Sequence, residues 1–193
     1  MVSEEGISRL ERFLKLNEDA QKILTSAPSL KLPNWYLGAG GISQTVWNVL
    51  HGFSPRHGIK DYDLVYYDSG DLSFETEDRH IQQAKRLFQS IPVPVEVRNE
   101  ARVHLWYPEK FGFSINPYGS VEEAIASWPT TATCVGVKYV GKGFHVYAPY
   151  GLDDLFAMLV RPNKVLIKKQ VYEEKVKRWS AAWPKLRVIP WDE

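Results

Sequence analysis

The seven residues Lys60-Asp-Tyr-Asp-Leu-Val-Tyr66 set two carboxylates inside a run of strand-forming residues. Alternate side chains of a strand share a face, so Asp61 and Asp63 project side by side with Cα atoms about 6.5 Å apart. Like charges that close repel, and an apolar sheet beside them raises the cost. A hard divalent cation with oxygen ligands removes the penalty, and Mg2+ is the usual choice where phosphates share its shell. A strand end open to water would carry the same two acids without a metal, so a second feature has to decide. Upstream, Trp35-Tyr-Leu-Gly-Ala-Gly-Gly-Ile-Ser43 reads as a strand, a glycine-rich turn and the start of a helix. Such a turn offers bare backbone N–H groups and a helix N-terminus to a phosphate. Gly38, Gly40, Gly41 and Ser43 are the candidates for that cradle. Tight strand–helix packing would use the same glycines, and plain capping the same serine. Metal ligands and a phosphate cradle together predict a nucleoside triphosphate site.

Around this centre the pattern alternates. Ile7, Leu10, Phe13, Leu14, Ile23 and Leu24 recur at helical spacing, giving one amphipathic helix or two short ones over residues 4–26. Residues 34–37 form a short strand, and Ile42, Val46, Val49 and Leu50 mark a helix over 41–51. A Gly- and Pro-containing loop leads to the strand 61–67. A helix over 76–90 follows, then a strand from Pro92 to Arg98 that carries Glu96. Val103 to Tyr107 reads as an extension of that strand or a sheet edge. Val121 to Trp128 reads as a helix entered through Ser120. Two β-rich runs, 130–140 and 144–148, are joined by Gly141-Lys-Gly143 as a hairpin. Asp153 and Asp154 open a helix that reaches Val160, and Val165 to Trp183 spaces out a final amphipathic helix. Strand, helix, strand, helix, strand is an α/β alternation.

Composition narrows the function classes. With 24 basic and 23 acidic residues the chain has no global field to draw in nucleic acid. A lone cysteine, Cys134, excludes an internal disulfide framework and fits a reducing compartment. Residues 1–24 lack the apolar core of a signal peptide, and no apolar run is long enough to span a membrane. The expectation is a cytoplasmic protein without membrane association, forming one domain over 1–193 with a core at about 30–165 and a helical extension at about 166–193. No Cys/His cluster suggests zinc, and no Walker-type Gly-x-x-x-x-Gly-Lys run is present.

Gly38-Ala-Gly-Gly41 opening a helix, Asp61-Tyr-Asp63 on the next strand and Glu96 on the one after resemble the polymerase-β-like nucleotidyltransferase superfamily. Within it, Trp35-Tyr-Leu-Gly-Ala-Gly-Gly, Thr45-Val-Trp-Asn48, Val95-Glu-Val-Arg-Asn-Glu-Ala-Arg-Val-His104 and Tyr147-Ala-Pro-Tyr-Gly-Leu-Asp-Asp154 are similar to a set of uncharacterised bacterial and fungal nucleotidyltransferase-like proteins. The resemblance implies an α+β fold, a mixed β-sheet with helices packed on it plus a C-terminal helix. It implies an NTP as substrate, with Asp61, Asp63 and Glu96 as catalytic metal ligands for Mg2+ or Mn2+. The reaction implied moves a nucleoside monophosphate to a hydroxyl of a small molecule or protein. The 22 positions from Gly41 to Asp63 exceed the usual gap, so the loop 51–60 reads as an insertion.

Arg98 shares the parity of Glu96 and is a candidate for the triphosphate, as are Arg102 and His104 if the strand runs on. The basic series Lys164, Lys168, Lys169, Lys175, Lys177 and Arg178 alternates with Glu173 and Glu174 and reads as a solvated helix face. The tryptophans of that helix read as core. Two other readings stay open on the sequence: a non-catalytic nucleotide-binding or interaction module of the same fold, and a metal-dependent nucleotide-sugar glycosyltransferase.

Overall fold

Asn17 divides the N-terminal amphipathic stretch in two. In the computed structural model, which describes residues 2–193, α1 (Glu4–Lys15) ends before it and α2 (Glu18–Ser26) begins after it. The Asn17 Oδ1 accepts from the backbone N–H groups of Asp19 and Ala20 and so caps α2. Its Nδ2 donates to Thr45 Oγ1 at 2.7 Å and to the Tyr62 hydroxyl at 2.9 Å, in a fully buried position. Asn17→Ala removes a cap worth about 1 kcal/mol and strands the buried Tyr62 hydroxyl. A loss of about 2–4 kcal/mol, read from the urea midpoint, is expected.

The main sheet has the order β3-β2-β1-β4-β5, with β1 (Tyr36–Gly38), β2 (Tyr62–Tyr66), β3 (Val95–Asn99), β4 (Gly136–Val140) and β5 (Gly143–Tyr147). β2 runs parallel to β3 and antiparallel to β1, and the β4–β5 hairpin is antiparallel. A parallel pair needs a crossover, which α4 (Phe74–Leu87) supplies between β2 and β3. The result is the mixed α+β arrangement expected.

Parity then gives the sheet two unlike faces. Tyr62, Leu64, Tyr66, Leu37 and Val137 belong to the main core, which includes residues of α1, α2 and α3 (Ala39–His51). Tyr36 and Val65 face the other way, against Val121 and Ile125 of α6 (Val121–Ala126). The C-terminal helix α8 (Lys169–Ala182) is anchored on α3: Trp47 meets Trp179 and Trp183 edge-on at centroid distances of 5.5 and 5.6 Å. Trp183 Nε1 also donates to Asn48 Oδ1 at 2.6 Å, so these tryptophans are core, as the sequence suggested. Among the described residues no helix is long and apolar enough to cross a membrane.

Two sequence expectations are corrected. Residues 103–107 do not extend β3; after a 3-10 turn at Glu100–Arg102 they open helix α5 (Val103–Phe111). Asn99 ends the strand, its side chain bonding both the N–H and the carbonyl of Asp68 and accepting from the Ala101 N–H. Arg102 therefore leaves the face of Glu96 and pairs instead with Glu77 of α4 and the Leu72 carbonyl. Likewise Leu155 to Val160 is not one helix. α7 (Asp153–Phe156) is a single turn, Met158 lies in the left-handed region with φ of 53°, and β6 (Leu159–Val160) pairs with β7 (Arg187–Val188).

Candidate active site

The turn between β1 and α3 is built by close approach. A Cβ on Gly38 would lie 2.6 Å from the Trp128 ring, and one on Gly41 would lie 2.5 Å from the Tyr62 ring. Both positions demand glycine for packing. Between them Ala39 holds φ of 53°, a left-handed conformation that costs a non-glycine residue energy and often marks a functional turn. Gly40 is the glycine that opens onto a cavity of about 680 Å³, where the Gln44 side chain lies beside it. Gln44 is itself a surprise: its Oε1 is buried and has no partner among the described residues. Ser43 does not line the cavity. Its hydroxyl is buried and donates to the carbonyl of Ala132 at 2.8 Å.

Register brings the acids together. Gly38 on β1 pairs with Asp63 on β2, which pairs with Glu96 on β3, so turn, acid and acid cross three adjacent strands at one level. Asp61, Asp63, Glu96 and Arg98 all line the cavity with Gly40. Burial pushes the Asp63 carboxyl up to about 6, and the neighbouring Asp61 charge adds to it. Glu96 is turned differently: it is exposed, and its Oε2 accepts from Arg98 Nη2 at 3.1 Å. Arg98 is also held over the Trp106 ring, 5.2 Å from its centroid. Among the described residues no three acids converge closely enough to hold an ion, so the pair Asp61–Asp63 is the nearest thing to a ligand set.

The opposite wall was not foreseen. α8 turns Lys175 and Arg178 toward the acids, with Lys168 just before the helix and Lys110 on α5 completing a basic side. Burial lowers the Lys175 pKa and Arg178 lowers it further, while Asp63 and Asp61 pull it back up. Lys175 thus shares the field of the acid pair. The solvated-face reading holds for Lys177, which is exposed and outside the cavity. Glu100 was missed as well. It lines the same cavity at 5% exposure, and burial pushes its carboxyl up to about 7. A lone acid just past a strand end carries no periodic signal, so only the fold reveals it.

Two comparisons bear on this arrangement. A family model described as Nucleotidyltransferase matches residues 25–188. A solved NMR structure, described as revealing a CCA-adding enzyme head domain, superposes with a TM-score of 0.76 at 24% identity. That match covers 97% of this chain and 96% of the other, and at such identity it speaks for the fold. The curated proteins gave no match.

Proposed function

Since the chain belongs to the nucleotidyltransferase family, we propose that it moves a nucleoside monophosphate from an NTP to a hydroxyl of a small molecule or protein, with a divalent cation held by Asp61 and Asp63. The observation that carries this reading is the Asp61–Asp63 pair facing a basic wall across one cavity, in register with Glu96.

The donor set fits a hard cation. Burial raises the Asp63 pKa and the Asp61 charge beside it adds to the rise, a cost that a hard cation between the two carboxylates relieves. When bound, Mg2+ or Mn2+ supplies charge neutralisation for the triphosphate and acidifies the attacking hydroxyl. The chain's own groups do the rest. Gly40 leaves backbone room for phosphate at the start of α3. Lys175, Arg178 and Arg98 offset the triphosphate charge and orient it. Glu96, once released from Arg98 by a phosphate that takes the guanidinium, would complete the acid set and accept the hydroxyl proton. Family and fold favour nucleotidyl over glycosyl transfer.

One observation favours a second reading, nucleotide binding without turnover: Glu96 is engaged by Arg98, and among the described residues no three acids converge on an ion site. The same experiment separates the two. Wild type and Asp61→Ala are titrated with each NTP and Mg2+ by calorimetry, then incubated with α-labelled NTP and cell extract. Metal-dependent NTP binding, weakened about tenfold or more in the variant, together with label transfer by wild type alone, is the expected result. Binding without transfer selects the second reading. Identical behaviour of the two proteins overturns both.

A further inference from the structure

Glu100 stands in an unusual position for an acid. It lines the cavity, is 5% exposed, and its carboxylate has no hydrogen-bond or ion-pair partner among the described residues. A buried charge without a partner is costly, and a site that keeps one is complete only when a ligand supplies the partner. Its surroundings are aromatic. Tyr107 and Tyr118 share the cavity lining, and the Tyr118 hydroxyl, bonded to Ser127 Oγ at 2.7 Å, has Glu100 and Tyr107 as electrostatic neighbours. Trp106 and Val103 line the cavity from α5. The charges that reach Glu100 are those of Arg98, which favours its ionised form, and Asp63, which opposes it.

The direction of reaction assigns this sector. Resting on the function proposed above, the phosphates lie between Gly40 and the basic residues of α8, with Asp63 beside the reacting phosphorus. Phosphoryl-type transfer places attacking and leaving oxygens roughly in line. Pyrophosphate leaving toward Lys175 and Arg178 of α8 requires the hydroxyl to enter from the opposite side. Glu100, just past the end of β3, Tyr107 of α5 and Tyr118 beyond that helix line the same cavity from elements other than α8.

We propose that this aromatic sector, with Glu100 at its base, is the acceptor subsite, and that the acceptor is a small molecule carrying an ammonium group near its reactive hydroxyl. The cation pairs with the Glu100 carboxylate and rests on the faces of the neighbouring rings. A neutral polyol leaves the carboxylate unpaired and binds weakly.

The test uses the full chain and defined probes. Choline, 2-aminoethanol and glucosamine are titrated calorimetrically against glycerol and glucose, with and without Mg2+ and a non-hydrolysable ATP analogue. The amines are expected to bind at least tenfold more tightly than the neutral probes. Glu100→Gln is expected to erase that preference while leaving Mg-nucleotide affinity within twofold. A second measurement needs no variant: in wild type, choline should shift the indole N–H resonance of Trp106 and leave that of Trp183, buried against α3, unchanged. Equal binding of amines and polyols, or an amine preference that survives Glu100→Gln, overturns the assignment. Failure of Mg-nucleotide to bind wild type sinks the transfer reading instead, and the arm without nucleotide still reports on Glu100.

Discussion

Asp63→Asn is expected to lower nucleotidyl transfer by about 10³-fold or more and, at the same time, to make the metal-free protein more stable at pH 8. The two effects have one cause. Asp63 sits on a sheet face beside Asp61, and burial followed by that neighbouring charge raises its pKa from 3.8 to about 6. Below about pH 4 the carboxyl is protonated in both folded and unfolded chains and contributes nothing to pH dependence. Between about 4 and 6 the unfolded chain releases its proton more readily than the folded one, so stability falls as pH rises and is fully lost above the folded pKa. Two pKa units correspond to roughly 3 kcal/mol, and partial access to water trims this to about 2. For a chain of this size that is a rise of about 4–8 °C in melting temperature for the neutral variant at pH 8. Added Mg2+ should stabilise wild type and leave Asp63→Asn unmoved, because a ligand that binds only the folded state raises its stability by mass action. Thermal melts from pH 4 to 8, with EDTA or Mg2+, check this without any substrate. An Asn variant that melts below wild type at pH 8, or gains as much from Mg2+, would falsify the role given to Asp63. Glu100, raised to about 7 by burial, adds a loss of the same sign over a window reaching slightly higher pH.

How much of this was legible before the fold was known depends on whether the signal is local. The strand at 62–66 and the helix after the glycines announce themselves through period-2 and period-3.6 patterns, and the β2–α4–β3 crossover follows from their order. Those elements carry Asp61, Asp63, Glu96 and Arg98, and the structure brings all four to one cavity. The role of each glycine was not legible. Gly41 and Gly38 look alike in sequence, yet what excludes a side chain at each is a ring from a distant residue, Tyr62 for one and Trp128 for the other. Residues 103–107 are rich in strand-forming types, but Asn99 ends the ladder through bonds to Asp68, a residue 31 positions away. Lys175 and Arg178 of α8 were misread for the same reason. Helical spacing shows which side chains share a face, and only the docking of Trp179 and Trp183 on Trp47 shows that the Lys175 face looks into the cavity.

That docking makes a prediction of comparable size about substrate binding. Lys175→Met keeps the apolar stem and deletes the charge; together with Arg178→Ala it is expected to weaken Mg-NTP binding about 100-fold or more, since each charged contact to phosphate is worth about 1.5–3 kcal/mol. Lys177→Ala, one position away on the exposed face, should change affinity less than twofold. The salt dependence of NTP binding should also flatten in the double variant, because fewer charges screen and release counterions. A further consequence distinguishes a basic wall facing the acids from a generic positive surface. Lys175 lowers the pKa of Asp63, so removing its charge drives that carboxyl higher and shifts the onset of Mg2+ binding toward more alkaline pH. Lys177→Ala leaves that onset where it was. Calorimetric titrations of Mg2+ and of Mg-NTP at pH 5.5, 6.5 and 7.5 across the four proteins read both effects. An unshifted Mg2+ onset in Lys175→Met would mean that helix α8 and the Asp61–Asp63 pair do not act on each other, and the phosphate site would then have to be sought along β3 and α5 alone.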